Sequence, residues 1–412
     1  MVRYIYLTII LIILLVLTFD TSLTRMFSDF SSEKYHEIVK VEVISNSILV
    51  PVVIGGKTYL FILDTGASTS ISKELFAELN LSINDSINAM DLYGNTKKVY
   101  STTIPELNIG KTKFENFKLG VIRPIQDLTA CGIKIDGCLG NDLLSKGVLQ
   151  IDIVKKEISI ANDIDSFDVE NHNICDFKTN HQMIPFLPVF FPHKDKTDEV
   201  MFDTCSNNYF YRLSKNSYNE MVKNNHFNSQ DIIDTLDQSD NAAGVFGKQT
   251  DKENIYANFD SITVVGVKIY NCPAYTLSTF QNSILGAPFL WLGIVTIDYK
   301  NHKFYLKRYR DKLVDLSPKH GFTCSGNKKS QLVVESVLKG SIAEKSNIKK
   351  GYILKKLNAT NLDSLTICER LNFNWSKEYD RYIVRYTFST MNNEELIVQI
   401  ENHIKNDKQD CK

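Results

Sequence analysis

The sequence has no long run of basic residues, and its formal net charge is -1 at pH 7. A nucleic-acid face needs clustered Lys and Arg to neutralise phosphates, so nucleic acid is excluded as the main partner. There is no Cys-x-x-Cys and no His-Glu-x-x-His, and the 8 histidines are scattered. Metal sites draw on such closely spaced ligands. No metal and no cofactor is therefore expected, and a metal or nucleotide enzyme finds no motif here.

A cleavage site is missing too. Residues 4–19 are uncharged and mostly Ile, Leu and Val, but Leu17-Thr18-Phe19-Asp20 is a poor signal-peptidase site and no nearby Cys can take a lipid. The stretch is slightly short for a membrane span of about 20 residues and slightly long for a signal core of about 7–15. The expectation is an uncleaved signal anchor, with linker, over residues 1–36. Arg3 would then stay in the cytoplasm and the rest face the extracytoplasmic side, at the periplasm or cell surface. A cleaved segment would make the protein secreted.

What remains is ordinary globular composition, 43% hydrophobic and 23% charged. At roughly 150 residues per domain, 412 residues suggest two or three domains. The 8 cysteines fit an exported protein. Cys131 and Cys138 are spaced to close a small loop, and Cys324 and Cys368 to staple the last domain; alternatively, several are buried thiols.

The chain repeats itself. Residues 139–152 (LGNDLLSKGVLQID) lie over residues 285–298 (LGAPFLWLGIVTID) without a gap. Upstream, Ile62-Leu63-Asp64-Thr65-Gly66-Ala67-Ser68 has its counterpart in Met201-Phe202-Asp203-Thr204-Cys205-Ser206-Asn207, and Ile71-Ser72-Lys73 is echoed by Leu213-Ser214-Lys215. From aspartate to later glycine is 76 residues in the first copy (64 to 140) and 83 in the second (203 to 286). Residues 48–54, 58–63, 98–103, 114–122 and 148–153 are short apolar or alternating runs broken by Gly, Asn and Pro, which predicts strands. Residues 73–79 and 215–223 read as short helices. Each copy is thus an all-β, barrel-like unit with one helix.

An Asp-Thr-Gly directly after an apolar strand puts a carboxylate on a tight loop, where Gly66 lets another chain come close. Two such loops face to face would hold two carboxyls near enough to share a proton, because like charges that close do not both ionise. The ionised one activates a water; the protonated one donates to the scissile carbonyl oxygen. These residues resemble the signature of retropepsin-like aspartic proteases, with Cys138-Leu139-Gly140 and Ile284-Leu285-Gly286 matching the family's later hydrophobic-hydrophobic-Gly segment. The arrangement looks pepsin-like, with both aspartates in one chain, over roughly residues 40–310.

The resemblance implies a mainly β, bilobal acid-protease fold: one lobe over 37–168 and another over 169–312. It makes Asp64 and Asp203 the catalytic pair, with Thr65, Gly66, Thr204 and Cys205 in the supporting loops. It also implies a Gly-bearing flap over the substrate, at Tyr93-Gly94 in the first lobe, and with less support at Gly244-Val245-Phe246-Gly247 in the second. Cys205 departs from the family's Gly. If that position needed φ > 0, Cys would be strained by about 1–2 kcal/mol.

Past residue 317 a different unit begins. Residues 331–337 read as a strand, and Ser341 with Glu344 forms a capping box. Residues 350–358 turn into another strand, and 381–388 with 395–400 close as a hairpin. That order resembles the PDZ domains of bacterial envelope proteases, keeping Ser341, Ala343, Glu344, Ile348, Gly351, Ile353 and Asn358. Asn347 stands where the family has Gly and tolerates the left-handed conformation. The resemblance implies an α+β domain over 317–404, binding a peptide's C-terminus at the loop of His320, Gly321 and Phe322. The functional expectation is an aspartic endopeptidase of the cell envelope acting on polypeptide. The alternative is an inactive peptide-binding envelope protein, which Cys205 favours.

Overall fold

The computed structural model describes residues 34–401, except 92–94, 123–127, 129–130, 193–194, 208, 225–231, 237–242, 245–246, 249–253, 277–281, 318, 327–330, 338–339, 372, 374–376 and 379–380. The proposed anchor at 4–19 and the flap residues Tyr93 and Gly94 lie outside these. Among the described residues, no helix is long and apolar enough to cross a membrane.

Apolar, β-branched segments pair as strands in both repeats. Ser47–Ile54 packs against Lys57–Leu63 across a two-glycine turn, and both send side chains into the core. In the first lobe the strand order is Glu42–Ile44, Ser47–Ile54, Lys57–Leu63, Gly137–Leu139, Ser70–Ile71, Thr112–Val121, Thr96–Ile109, Asp85–Met90. Ser47–Ile54 also meets Thr96–Ile109, with Val53 opposite Asn108, so the sheet curls back on itself.

The second lobe repeats the plan with Pro185–Phe191, Lys196–Asp203, Ser283–Gly286, Tyr211–Leu213, Val267–Thr276 and Asn254–Val264 in sheet order. Here too the ends meet, Pro185–Phe191 against Asn254–Val264. The helices Lys73–Glu78 and Lys215–Lys223 follow the aspartate loops, capped by Ser72 and Ser214, whose hydroxyls accept from Leu75 N and Ser217 N.

A six-stranded sheet joins the halves, in the order His36–Lys40, Glu157–Ala161, Val148–Asp152, Gly293–Asp298, Lys303–Arg308, Asn173–Asp176. Its centre pairs the two repeats directly: Val148 lies opposite Asp298, and Gln150 Nε2 donates to Thr296 Oγ1 at 2.9 Å. One continuous core runs through both lobes, with Phe61, Phe202, Phe289 and Phe304 fully buried. Each such ring contributes roughly 1.5–3 kcal/mol relative to exposure.

The last unit has its own sheet, Phe322–Gly326, Leu332–Val337, Ile353–Leu357, Ile383–Ser389, Glu395–Glu401, over a separate core that includes Val334, Tyr386 and Phe388. Ser341 caps Ile342–Lys345 by accepting from Glu344 N, while the Glu344 carboxylate takes the N–H of Gly340. Asn347 is left-handed at φ 59°, a conformation that Asn tolerates.

The disulfide differs from both expected pairings. Cys131 bonds Cys368, tying the first lobe to the last unit. Cys138 is instead buried on the strand beside the aspartate loop, and Cys324 packs against the last core; both are free thiols.

Candidate active site

In each lobe a later strand passes behind the aspartate loop. Gly137–Leu139 runs parallel to Lys57–Leu63, and Ser283–Gly286 parallel to Lys196–Asp203. Asp64 N donates to Leu139 O at 2.9 Å, which fixes the loop on that strand. Gly140 and Gly286 follow at the crossing. A Cβ there would collide with the backbone of Ser68 and of Tyr209 respectively, so only glycine lets the two segments approach.

The two loops meet by reciprocal bonds. Thr65 Oγ1 donates to Phe202 O and Thr204 Oγ1 to Leu63 O, each at 2.8 Å. Each hydroxyl in turn accepts the partner threonine's N–H at 3.1 Å. Within its own loop, Asp64 Oδ1 accepts from Gly66 N and Asp203 Oδ1 from Cys205 N, both at 2.8 Å. The sequence-derived pair is therefore brought together, with its supporting threonines, in near two-fold symmetry.

The electrostatics follow from burial. Both carboxyls are almost closed off from solvent, at 9% exposure for Asp64 and 4% for Asp203. Burial raises both above the usual carboxylate range. Asp203 is pushed up to about 7, first by burial and then by the charge of Asp64. Asp64 is held back by the Gly66 N–H and by the thiols of Cys205 and Cys138, all of which bond to its ionised form. Burial, with the Asp64 charge next, keeps those thiols well above their usual range and so protonated. The pair is thus biased to carry one proton between the two carboxyls.

Cys205 is not strained. Neither it nor Gly66 has a positive φ, so the expected backbone penalty does not arise. Space is what matters at this position: a Cβ on Gly66 would lie 2.7 Å from Asp203 Cγ, whereas beside Asp64 there is room for the Cys205 side chain. Its Sγ lies 3.7 Å from Leu63 O, within an apolar group of Ile44, Leu49, Ile62, Leu128, Ile135 and Cys138.

Residues 50–143 match the family described as Aspartyl protease. The fold is mainly β, with two closed barrel-like lobes consistent with the bilobal retropepsin-like arrangement. The aspartyl protease match covers the first lobe and includes Asp64, Thr65, Gly66 and Gly140; the second lobe is tied to it by the internal repeat and the mirrored bonds. A retropepsin-like aspartic protease from Rickettsia conorii is similar at 22% identity, over 32% of this chain and 95% of that one, with a TM-score of 0.24. No curated protein matches.

Several residues near the carboxyl pair went unread in the sequence. Asn141 Nδ2 donates to Thr65 O at 2.5 Å, and Tyr299 OH donates to Asn141 Oδ1 at 2.6 Å, bracing the loop from the core. Asn141 sits in the repeated segment, but its partner position holds Ala287, so the repeat hid it. The Cys138 thiol beside Asp64 is another. In the second lobe Ala243–Gly244 and Gly247–Lys248 pair as a small ribbon. In the last unit Gly321 has φ 86° against Ser341, and the Phe322 ring packs on Tyr386 and Phe388 within that unit's core.

Proposed function

We propose that this chain is an aspartic endopeptidase that cleaves extended polypeptide with a water activated between Asp64 and Asp203. The observation that carries the reading is the reciprocal Thr65–Thr204 lock, which holds two buried carboxyls where the charge of Asp64 raises Asp203. Asp64, ionised, takes a proton from the water as its oxygen attacks the carbonyl carbon. Asp203, protonated, donates to the carbonyl oxygen, giving a tetrahedral diol without a covalent enzyme intermediate. The C–N bond then breaks as the leaving nitrogen takes the proton from Asp64 and one diol hydroxyl returns a proton to Asp203, which restores the pair.

We place the enzyme at the cell envelope, held by residues 4–19 and facing outward. A disulfide at Cys131–Cys368 fits an oxidising compartment and supports this placement. Labelling of intact cells with an impermeant reagent tests it; protection of the lobes from that reagent would contradict it. The last unit is proposed to hold a peptide C-terminus along Phe322–Gly326, which forms the end of its sheet. Peptides with free and amidated C-termini should then differ in affinity for the protein.

The deciding experiment is cleavage of a random peptide pool from pH 3 to 8, with Asp64→Asn and Asp203→Asn beside the native protein. Cleavage by the native protein alone supports the paired mechanism. Cleavage that survives either substitution contradicts it. A folded protein that cuts nothing at any pH leaves the peptide-binding reading in its place.

A further inference from the structure

The two sheet faces that flank the carboxyl pair differ in chemistry, although one repeat builds both. In the first lobe, Ile62 and Cys138 rise from the face turned away from the main core, with Leu49, Leu128, Ile135 and, partly buried, Ile133 and Cys205. The thiols of Cys138 and Cys205 reach Asp64, so this apolar face abuts the carboxyl pair. The repeat puts Met201 and Ile284 at the same rungs of the second lobe; both are buried at 2% and 0%, and neither belongs to the main core.

The rung beside them has changed. Ser70 lies opposite Cys138 in the first lobe, and Arg212 lies opposite Ile284 in the second. Along Tyr211–Leu213, Tyr211 and Leu213 enter the core, so Arg212 projects from the opposite face, the one shared with Met201 and Ile284. Its guanidinium carbon lies 4.5 Å from the Tyr209 ring centre, and Tyr209 packs on Tyr275 at 4.3 Å. Its charge is felt by Asp203. An aromatic stack restrains the guanidinium beside the carboxyl that donates to the scissile carbonyl.

We infer that Arg212 makes the second-lobe side of the cleft select a substrate bearing Asp or Glu there, while the first-lobe side takes an apolar residue. This rests on the peptidase reading. The planar fork of an arginine matches a carboxylate in two-point contact, which a neutral Gln does not reproduce. An apolar face and a cationic one also set the direction in which a polypeptide lies across the pair.

The test uses the full chain and peptide sets identical except for Glu, Gln or Lys at each position flanking the cut. The quantity read is the ratio of kcat/KM for Glu over Gln within each protein, so overall losses cancel. The native protein is expected to favour Glu by about 10- to 100-fold at one position. Arg212→Gln should bring that ratio near one, Arg212→Lys should keep part of it, and Arg212→Glu should turn the preference toward Lys. A native protein that cuts without any acid preference, or an Arg212→Gln variant that keeps it, overturns the inference.

Binding separates this from failure of the peptidase reading. Non-cleavable hydroxyethylene peptides carrying Glu or Gln at that place are titrated into native and Arg212→Gln proteins, both checked for cooperative melting. A Glu preference lost in the variant upholds the subsite even if nothing is cleaved. Equal binding of the two peptides by the native protein overturns it.

Discussion

Replacing Asp203 with Asn should abolish cleavage and yet stabilise the fold above neutral pH. Asn keeps the shape, still accepts the Cys205 N–H bonded at 2.8 Å, and never ionises. In the native protein, burial and then the Asp64 charge raise this carboxyl from 3.8 to about 7. That is a rise of about 3 units, and at 1.36 kcal/mol per unit it amounts to about 4 kcal/mol. Because the folded value is raised, the unfolded chain releases this proton near pH 4 and the folded chain only near pH 7. Stability is therefore full below about pH 4, falls as pH rises to about 7, and stays low beyond. Asp64 titrates in both proteins and largely cancels. The gap between variant and native protein should widen by about 4 kcal/mol from pH 3.5 to pH 8, or about 8–16 °C in thermal midpoint for lobes of this size. Melting curves at the two pH values measure it. A gap that is the same at both, or that narrows at pH 8, refutes the account of a buried shared-proton pair.

Three further outcomes are expected. The kcat/KM profile should fall on its alkaline side near pH 7, where the pair loses its shared proton; full activity held to pH 9 would contradict the assignment of Asp203 as acid. Gly66→Ala should be inactive, since its Cβ meets Asp203 at 2.7 Å, whereas Cys205→Gly should remain active; peptide cleavage by folded proteins compares them. Thr65→Val strands two buried backbone groups, the N–H of Thr204 and the carbonyl of Phe202, at about 1–3 kcal/mol each. Urea denaturation should show a loss of about 2–6 kcal/mol, with cleavage falling alongside.

The aspartates were legible because their chemistry is local: an apolar strand ending in Asp-Thr, then Leu-Gly 76 residues on in one copy and 83 in the other. Strands around them alternate in a way that burial bears out, as within the first eight residues of Thr112–Val121. What the sequence hid depends on three-dimensional neighbours. Cys205 looked like a backbone problem, but its φ is ordinary, and the real constraint is room beside the opposite carboxyl. Cys131 finds Cys368, 237 residues away, because chain spacing says nothing about which loops from different units abut. Arg212 went unread since its significance lies in the rung it shares with Ile284, a relation that only strand register reveals.

The Cys131–Cys368 bond closes a covalent ring that contains Asp203 but not Asp64. Each carboxyl of the pair thus belongs to a different part of the molecule's covalent graph. A backbone cut between residues 132 and 202 would otherwise part them into separate chains. With the ring intact, both fragments remain sulfur-linked, and the two carboxyls stay members of one molecule. For a protein surrounded by peptide bonds that include its own, the ring turns a nick from a dissociation into a scar.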